Sequence, residues 1–173
     1  MESQNKRNRI LIARWVLYTL VLLVAAALQT TPGFLCIGEC KPFWILGVCI
    51  AVSAQENEFS GALFGALGGM LWDFTSGRTI GFFAIGMLFL CFFCSVLVQL
   101  YLKKAYANIF LLNVLAGLLV TGMDFLFGYW MRGFPQPMRI YTTIILPEVL
   151  ISAVLALFSM WLIHVIANWL SLP

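Results

Sequence analysis

Long apolar runs separated by short polar breaks dominate the chain, and their positions predict its helices. Crossing the hydrocarbon core of a membrane takes roughly 20 apolar residues in an α-helix, and several runs approach or exceed that length. They are apolar on every side, whereas the strands of a membrane barrel alternate apolar and polar residues. The pattern predicts helices near residues 10–29, 43–54, 59–74, 80–102, 107–131 and 141–170.

The second and third runs are shorter than a typical crossing. The acidic stretch Gln55-Glu56-Asn57-Glu58 separates them, so 43–54 and 59–74 would also suit a re-entrant pair that enters and leaves on one side. We favour two full spans, which gives about six transmembrane helices.

Composition supports a membrane location. Of the 173 residues, 62% are hydrophobic and 10% are charged, and the mean hydropathy is +0.99, which excludes an ordinary water-soluble domain. The chain is therefore expected to be an all-α integral protein of the cell membrane. Residues 1–173 would form one polytopic domain, a compact multi-pass bundle. The net charge is +3, and the basic residues lie at helix flanks, where the anionic headgroups of the lipid bilayer attract them. This charge requires no nucleic-acid partner.

The distribution of basic residues predicts orientation. One group precedes the first helix and a second follows the fourth, so an even number of crossings places both groups on one side, the cytoplasm. These are Lys6, Arg7, Arg9, Arg14, Lys103 and Lys104, against Lys41, Arg78, Arg132 and Arg139 outside. Both termini are expected to be cytoplasmic.

A stripe of small residues runs along the third helix. Gly61, Gly65, Gly69 and Asp73 recur every fourth residue, so they share one helix face. Missing side chains let a second helix approach closely in a membrane. The stripe predicts close packing, either inside this chain or against a helix of another protein.

Three acids fall within or at the ends of apolar segments, namely Asp73, Asp124 and Glu148. An unpaired charge inside the bilayer is costly. In the predicted topology all three lie toward the outer side, together with Arg78, Arg132 and Arg139. They predict an outer polar cluster that would act as a structural network, a polar ligand pocket or a partner site, and Asp73 is expected to pair with Arg78 or a later arginine.

The sequence offers little support for catalysis or for a metal site. Cys91 and Cys94 lie in an apolar run without a nearby His or acid, so we interpret them as packing residues rather than metal ligands. Cys36 and Cys40 would form a disulfide if their loop faces an oxidising space. His164 is expected at the membrane interface as a packing residue. No nucleophile and base, paired acids or metal cage can be assembled, so neither an enzyme nor a cofactor is expected.

The segment Gly61 to Gly81 resembles the rod shape-determining protein MreD family. In that family a glycine-rich helix ends in an Asp, and a short turn with another Gly begins the next helix. The stretch Ile37-Gly38-Glu39-Cys40-Lys41-Pro42-Phe43-Trp44 is similar to the family's glycine and proline segment before the second helix. The chain departs from the family at Glu56 and Glu58, where a basic residue is usual.

The resemblance implies a non-catalytic scaffold of the bacterial cell-wall elongation complex that supports rod shape. Its implied partners are MreC, the peptidoglycan synthase RodA with its penicillin-binding protein partner, and, indirectly, MreB. The alternative is a substrate-binding subunit of a vitamin transporter of the energy-coupling-factor type, which is also a small six-helix membrane protein. The outer polar cluster suits that alternative equally well.

Overall fold

The computed structural model describes residues 2–31, 42–76, 81–101, 105–127, 139 and 141–169. Within these ranges the chain forms six α-helices and no strand, which confirms the all-helical expectation. The helices are α1 (Glu2–Thr30), α2 (Trp44–Gln55), α3 (Glu58–Ser76), α4 (Phe82–Leu100), α5 (Tyr106–Phe125) and α6 (Leu146–Trp169), with a π-helical turn at Tyr141–Ile145 before α6.

Four of the described helical segments are long and apolar enough to cross a membrane. They are Arg9–Thr30, Phe82–Leu100, Tyr106–Phe125 and Tyr141–Trp169. Six full spans stay a prediction, since α2 has 12 residues, which rise only about 18 Å against a core of roughly 30 Å. The 19-residue helix α3 is not among these four segments.

The short helix α2 lies at the centre of the bundle. Every residue from Ile45 to Ala54 is buried, and α2 contacts each of the other five helices. A helix that is apolar all round has no side suited to water, and burial among other helices is its stable position. The longer helices surround α2 and expose apolar side chains on their outer faces.

The two ends of the bundle provide a frame for its polar groups. The Glu148 end is where α1, α3 and α5 finish and α2, α4 and α6 begin, and the Glu56 end is the opposite one. Pro147 lies where the π-helical turn joins α6, and it has no N–H to donate to the carbonyl groups of that turn. Which end faces the cytoplasm stays a prediction.

Candidate functional site

The glycine stripe lies against helices of the same chain. A Cβ atom on Gly65 would stand 2.6 Å from the carbonyl oxygen of Met87, and one on Gly69 would stand 2.5 Å from the Cα of Ala84, both on α4. A Cβ on Gly61 would stand 3.1 Å from Ser53 of α2. The stripe therefore lets α4 approach the backbone of α3 along most of its length, and α3 and α4 form the most extensive helix contact of the described chain.

A second small face of α3 packs on α2, and sequence reasoning missed it. Gly68 adjoins the buried Cys49 thiol, whose sulfur a Cβ at this position would overlap. Cys49 in turn contacts Cys91 of α4. The adjacent pair Gly68-Gly69 was the available signal, since neighbouring helical residues point about 100° apart and serve two different partners.

Asp73 joins the end of α3 to the start of α4. Its side chain is 1% exposed and accepts three backbone hydrogen bonds, from the N–H groups of Gly81 at 2.8 Å, Phe83 at 3.1 Å and Ala84 at 3.2 Å. The first N–H groups of a helix have no partner within it, and the helix dipole favours an anion there. Gly81 has a φ of 99°, a left-handed conformation that favours glycine. Asp73 is thus an N-terminal cap for α4 supplied by the preceding helix.

The predicted outer cluster is only partly brought together. Asp73 is directed at α4, while Glu148 is half-buried and lines a separate pocket whose lining includes neither Asp73 nor Asp124. Asp124 is also half-buried. Arg139 is exposed, and its carbonyl accepts bonds from the hydroxyls of Thr142 and Thr143. Arg78 and Arg132 lie outside the described residues, so the expected pairing of Asp73 with Arg78 stays a prediction.

The pocket at the Glu148 end has a volume of about 290 Å³. It opens between the last turns of α1 and α3, the segment leading into α2, and the first turn of α6. Its lining is half polar and, among the described residues, consists of Gln29, Thr30, Pro42, Phe43, Trp72, Thr75, Ser76 and Glu148.

A polar junction at the Glu56 end was not foreseen from the sequence. Arg14 of α1 forms an ion pair with Glu56 in the turn between α2 and α3. The Tyr18 hydroxyl accepts a hydrogen bond from Arg14 Nε at 3.0 Å and donates one to Glu56 Oε1 at 3.2 Å. The backbone carbonyl of Glu56 accepts from Ser95 and Gln99 of α4, each at 3.2 Å. One turn therefore connects four helices.

His164 extends this junction to α6. Gln55 lies 3.2 Å from its Nδ1 and Asn168 lies 3.0 Å from its Nε2. His164 was expected to be a packing residue, and these two hydrogen bonds were not predicted. Within the described ranges no group of three His, Cys, Asp or Glu side chains is placed to hold a metal ion.

The ion pair at the Glu56 end is expected to hold α1 on the bundle. The Arg14 and Glu56 side chains are only 21% and 15% exposed, so breaking the pair should cost more than the roughly 1 kcal/mol of an exposed pair. We expect Glu56→Gln and Arg14→Gln each to lower the unfolding midpoint in detergent, and the double variant to lose less than the sum. Strictly additive losses would contradict a direct interaction.

Comparison with known proteins identifies the family to which the chain is similar. Residues 9–168 match the model of the family described as rod shape-determining protein MreD, and this range includes all or most of each of the six helices. No curated protein and no solved structure matched the chain. The chain belongs to the MreD family of rod shape-determining membrane proteins.

Proposed function

We propose that this protein is a non-catalytic membrane scaffold of the bacterial cell-wall elongation complex. In this role it binds MreC and links RodA and its penicillin-binding protein partner to MreB filaments. The observation that carries the proposal is the family match over residues 9–168, because the family determines rod shape. Its chemistry is the packing of helices within the bilayer rather than turnover of a substrate.

The organisation of the bundle supports a structural role. Its charged and amide groups at the Glu56 end bind one another, and Asp73 binds the backbone of α4. The central helix α2 is enclosed by the others. Such an interior fixes the shape of the bundle, and its apolar outer faces are left for lipid and for helices of partner proteins. Helix association in membranes depends on close surface complementarity, so a fixed shape favours specific partners.

The pocket beside Glu148 favours a second candidate. A half-polar pocket of about 290 Å³ at one end of a helical bundle suits a small ligand. It is compatible with a substrate-binding subunit of a vitamin transporter of the energy-coupling-factor type. That candidate requires paired cytoplasmic ATPases as partners, whereas the scaffold requires MreC and RodA.

Co-purification from the native host is expected to separate the two candidates. The full chain with an affinity tag should recover MreC and RodA from detergent-solubilised membranes, and its depletion should convert rods into rounded cells. A tagged polytopic membrane protein of similar size serves as the matched control. Recovery of paired ATPases with a bound small molecule, in cells that stay rod-shaped after depletion, would contradict the scaffold and support the transporter subunit.

A further inference from the structure

The outer helices leave an apolar groove between α4 and α5. The helices α3 and α4 contact each other extensively, and so do α5 and α6, whereas α4 and α5 make few contacts although they are consecutive in the chain. A cavity of about 360 Å³ lies between them, and the described residues that line it are apolar or small. A second cavity of about 340 Å³ shares Gly86, Val120 and Met123 with the first and extends to Phe82. The groove therefore follows α4 from Phe82 to Leu97, or about 22 Å of a hydrocarbon core of roughly 30 Å.

The wall on α4 has the residue spacing of a helix-packing seam. Gly86, Leu90, Phe93 and Leu97 line the groove, and they follow one another at intervals of four, three and four residues, as the a and d positions of a heptad repeat do. Phe93 is nevertheless 60% exposed, and a Cβ atom on Gly86 would meet no atom within 4 Å. The seam on α4 is therefore largely uncovered by the helices of its own chain.

The wall on α5 has the same repeat and contains a polar residue. Ala116, Val120 and Met123 line the groove, and Asn113 occupies the preceding a position. Asn113 is 1% exposed, and neither its amide nitrogen nor its amide oxygen has a hydrogen-bond partner in the part of the chain that the structure describes. An unpaired amide in an apolar interior is costly, and such groups are rare in native proteins. An Asn at one a position can instead pair across a helix interface and fix the register of the helices.

We propose that this groove receives one transmembrane helix of a partner protein. The helix would carry a hydrogen-bonding side chain, namely Asn, Gln, Ser or Thr, at the level of Asn113, because such pairs hold helices together in membranes. The amide is covered in the free protein, and the few contacts between α4 and α5 let an entering helix part them and reach it. The identity of the partner, a member of the elongation complex, rests on the proposed function.

Two other occupants fit the groove less well. A lipid acyl chain has neither a donor nor an acceptor, so it would leave the Asn113 amide unpaired. In a second copy of this chain, each outer helix already has a neighbouring helix on either side. These neighbours would prevent such a helix from entering between α4 and α5. A helix without lateral neighbours can enter and bury both walls.

Filling the groove is expected to remove the partner without harming the fold. Gly86→Leu places a side chain in open space, so the unfolding midpoint in detergent should stay near that of the native chain. Recovery of MreC or RodA with the tagged full chain should fall by about tenfold or more. The matched control is Ala27→Leu, which enlarges an exposed small residue of α1, outside the groove, and should leave both quantities unchanged. Equal recovery with Gly86→Leu and with the native chain would overturn the groove as the binding site.

Asn113→Leu separates binding from folding. Leucine is similar in size to asparagine and leaves no buried polar group unpaired, so the unfolding midpoint of the isolated protein should rise. Recovery of the partner should fall, because the hydrogen bond across the interface is lost. A lower midpoint, or unchanged recovery, would contradict a role for Asn113 in binding the partner helix.

Photocrosslinking in the native host locates the occupant. With p-benzoylphenylalanine in place of Phe93, mass spectrometry should find the adduct on a transmembrane segment of the recovered partner, close to an Asn, Gln, Ser or Thr residue. The same probe in place of Phe158, on the exposed face of α6, should not give this adduct. Adducts with lipid alone or with a second copy of the chain would overturn the proposal.

The failure of the scaffold and the failure of the groove give different results. If the native chain recovers neither MreC nor RodA, the proposed function is contradicted. The Phe93 adduct then decides the groove by itself. An adduct with an identified membrane helix that disappears in Gly86→Leu supports the groove, and the lack of such an adduct overturns it.

Discussion

Replacing Gly69 by alanine is expected to prevent α3 and α4 from packing as they do. The new Cβ would stand 2.5 Å from the Ala84 Cα and from the Phe83 carbonyl oxygen, and 2.7 Å from the Ala84 nitrogen. These are backbone atoms, so no side chain can turn aside. Overpacking costs about 1–3 kcal/mol and sometimes more, which exceeds the gain of up to about 1 kcal/mol from alanine's helix propensity. We expect a large loss of folded protein in fluorescence-detected size-exclusion chromatography.

Gly86 provides a matched control within the same helix pair. It lies in α4, and a Cβ there would meet no atom within 4 Å. Gly86→Ala should therefore fold at least as well as the native chain, because it gains helix propensity without a clash. Gly65→Ala should behave like Gly69→Ala, since its Cβ would stand 2.6 Å from the Met87 carbonyl oxygen. Equal yields for the Gly69 and Gly86 variants would contradict the close approach.

The helices themselves could be predicted from the sequence because their signal is local. Apolar runs bounded by polar breaks place α3 at 59–74, against Glu58–Ser76 in the structure, and α4 at 80–102, against Phe82–Leu100. The role of α2 could not be predicted in this way. An apolar run of 12 residues is compatible with a short crossing, a re-entrant segment or a buried core helix, and only the structure shows that it packs against all five other helices.

The orientation argument holds whether or not α2 and α3 cross the membrane. Because α2 and α3 are consecutive and run in opposite directions, they add either two crossings or none. Arg14 and the basic residues after α4 are therefore expected on the same side in both cases. The side itself stays a prediction.

Polar pairing was harder to predict than helix position. From the sequence, Asp73 was expected to pair with an outer arginine, because an acid inside the bilayer was assumed to need a positively charged partner. In the structure the three described partners of Asp73 are backbone N–H groups, which every sequence carries and which no pattern of charges reveals. Arg14 and Glu56 are 42 positions apart along the chain, and only the packing of α1 beside the turn between α2 and α3 brings them together.

Asp73→Ala is expected to be the most damaging single substitution at the Glu148 end. It leaves the N–H groups of Gly81, Phe83 and Ala84 without their acceptor, and an unsatisfied buried group costs about 1–3 kcal/mol. We expect little folded protein and loss of rod shape in cells. Asp73→Asn keeps one acceptor oxygen without the charge, so it should retain an intermediate yield.

Neutralising Arg78 separates two explanations for the effect of Asp73→Ala. If Asp73 acts through the backbone of α4, Arg78→Gln should not rescue Asp73→Ala, because the N–H groups stay unsatisfied. If it acts through an ion pair, Arg78→Gln should restore part of the yield by removing an uncompensated charge. Normal yield and rod shape in Asp73→Ala would contradict both.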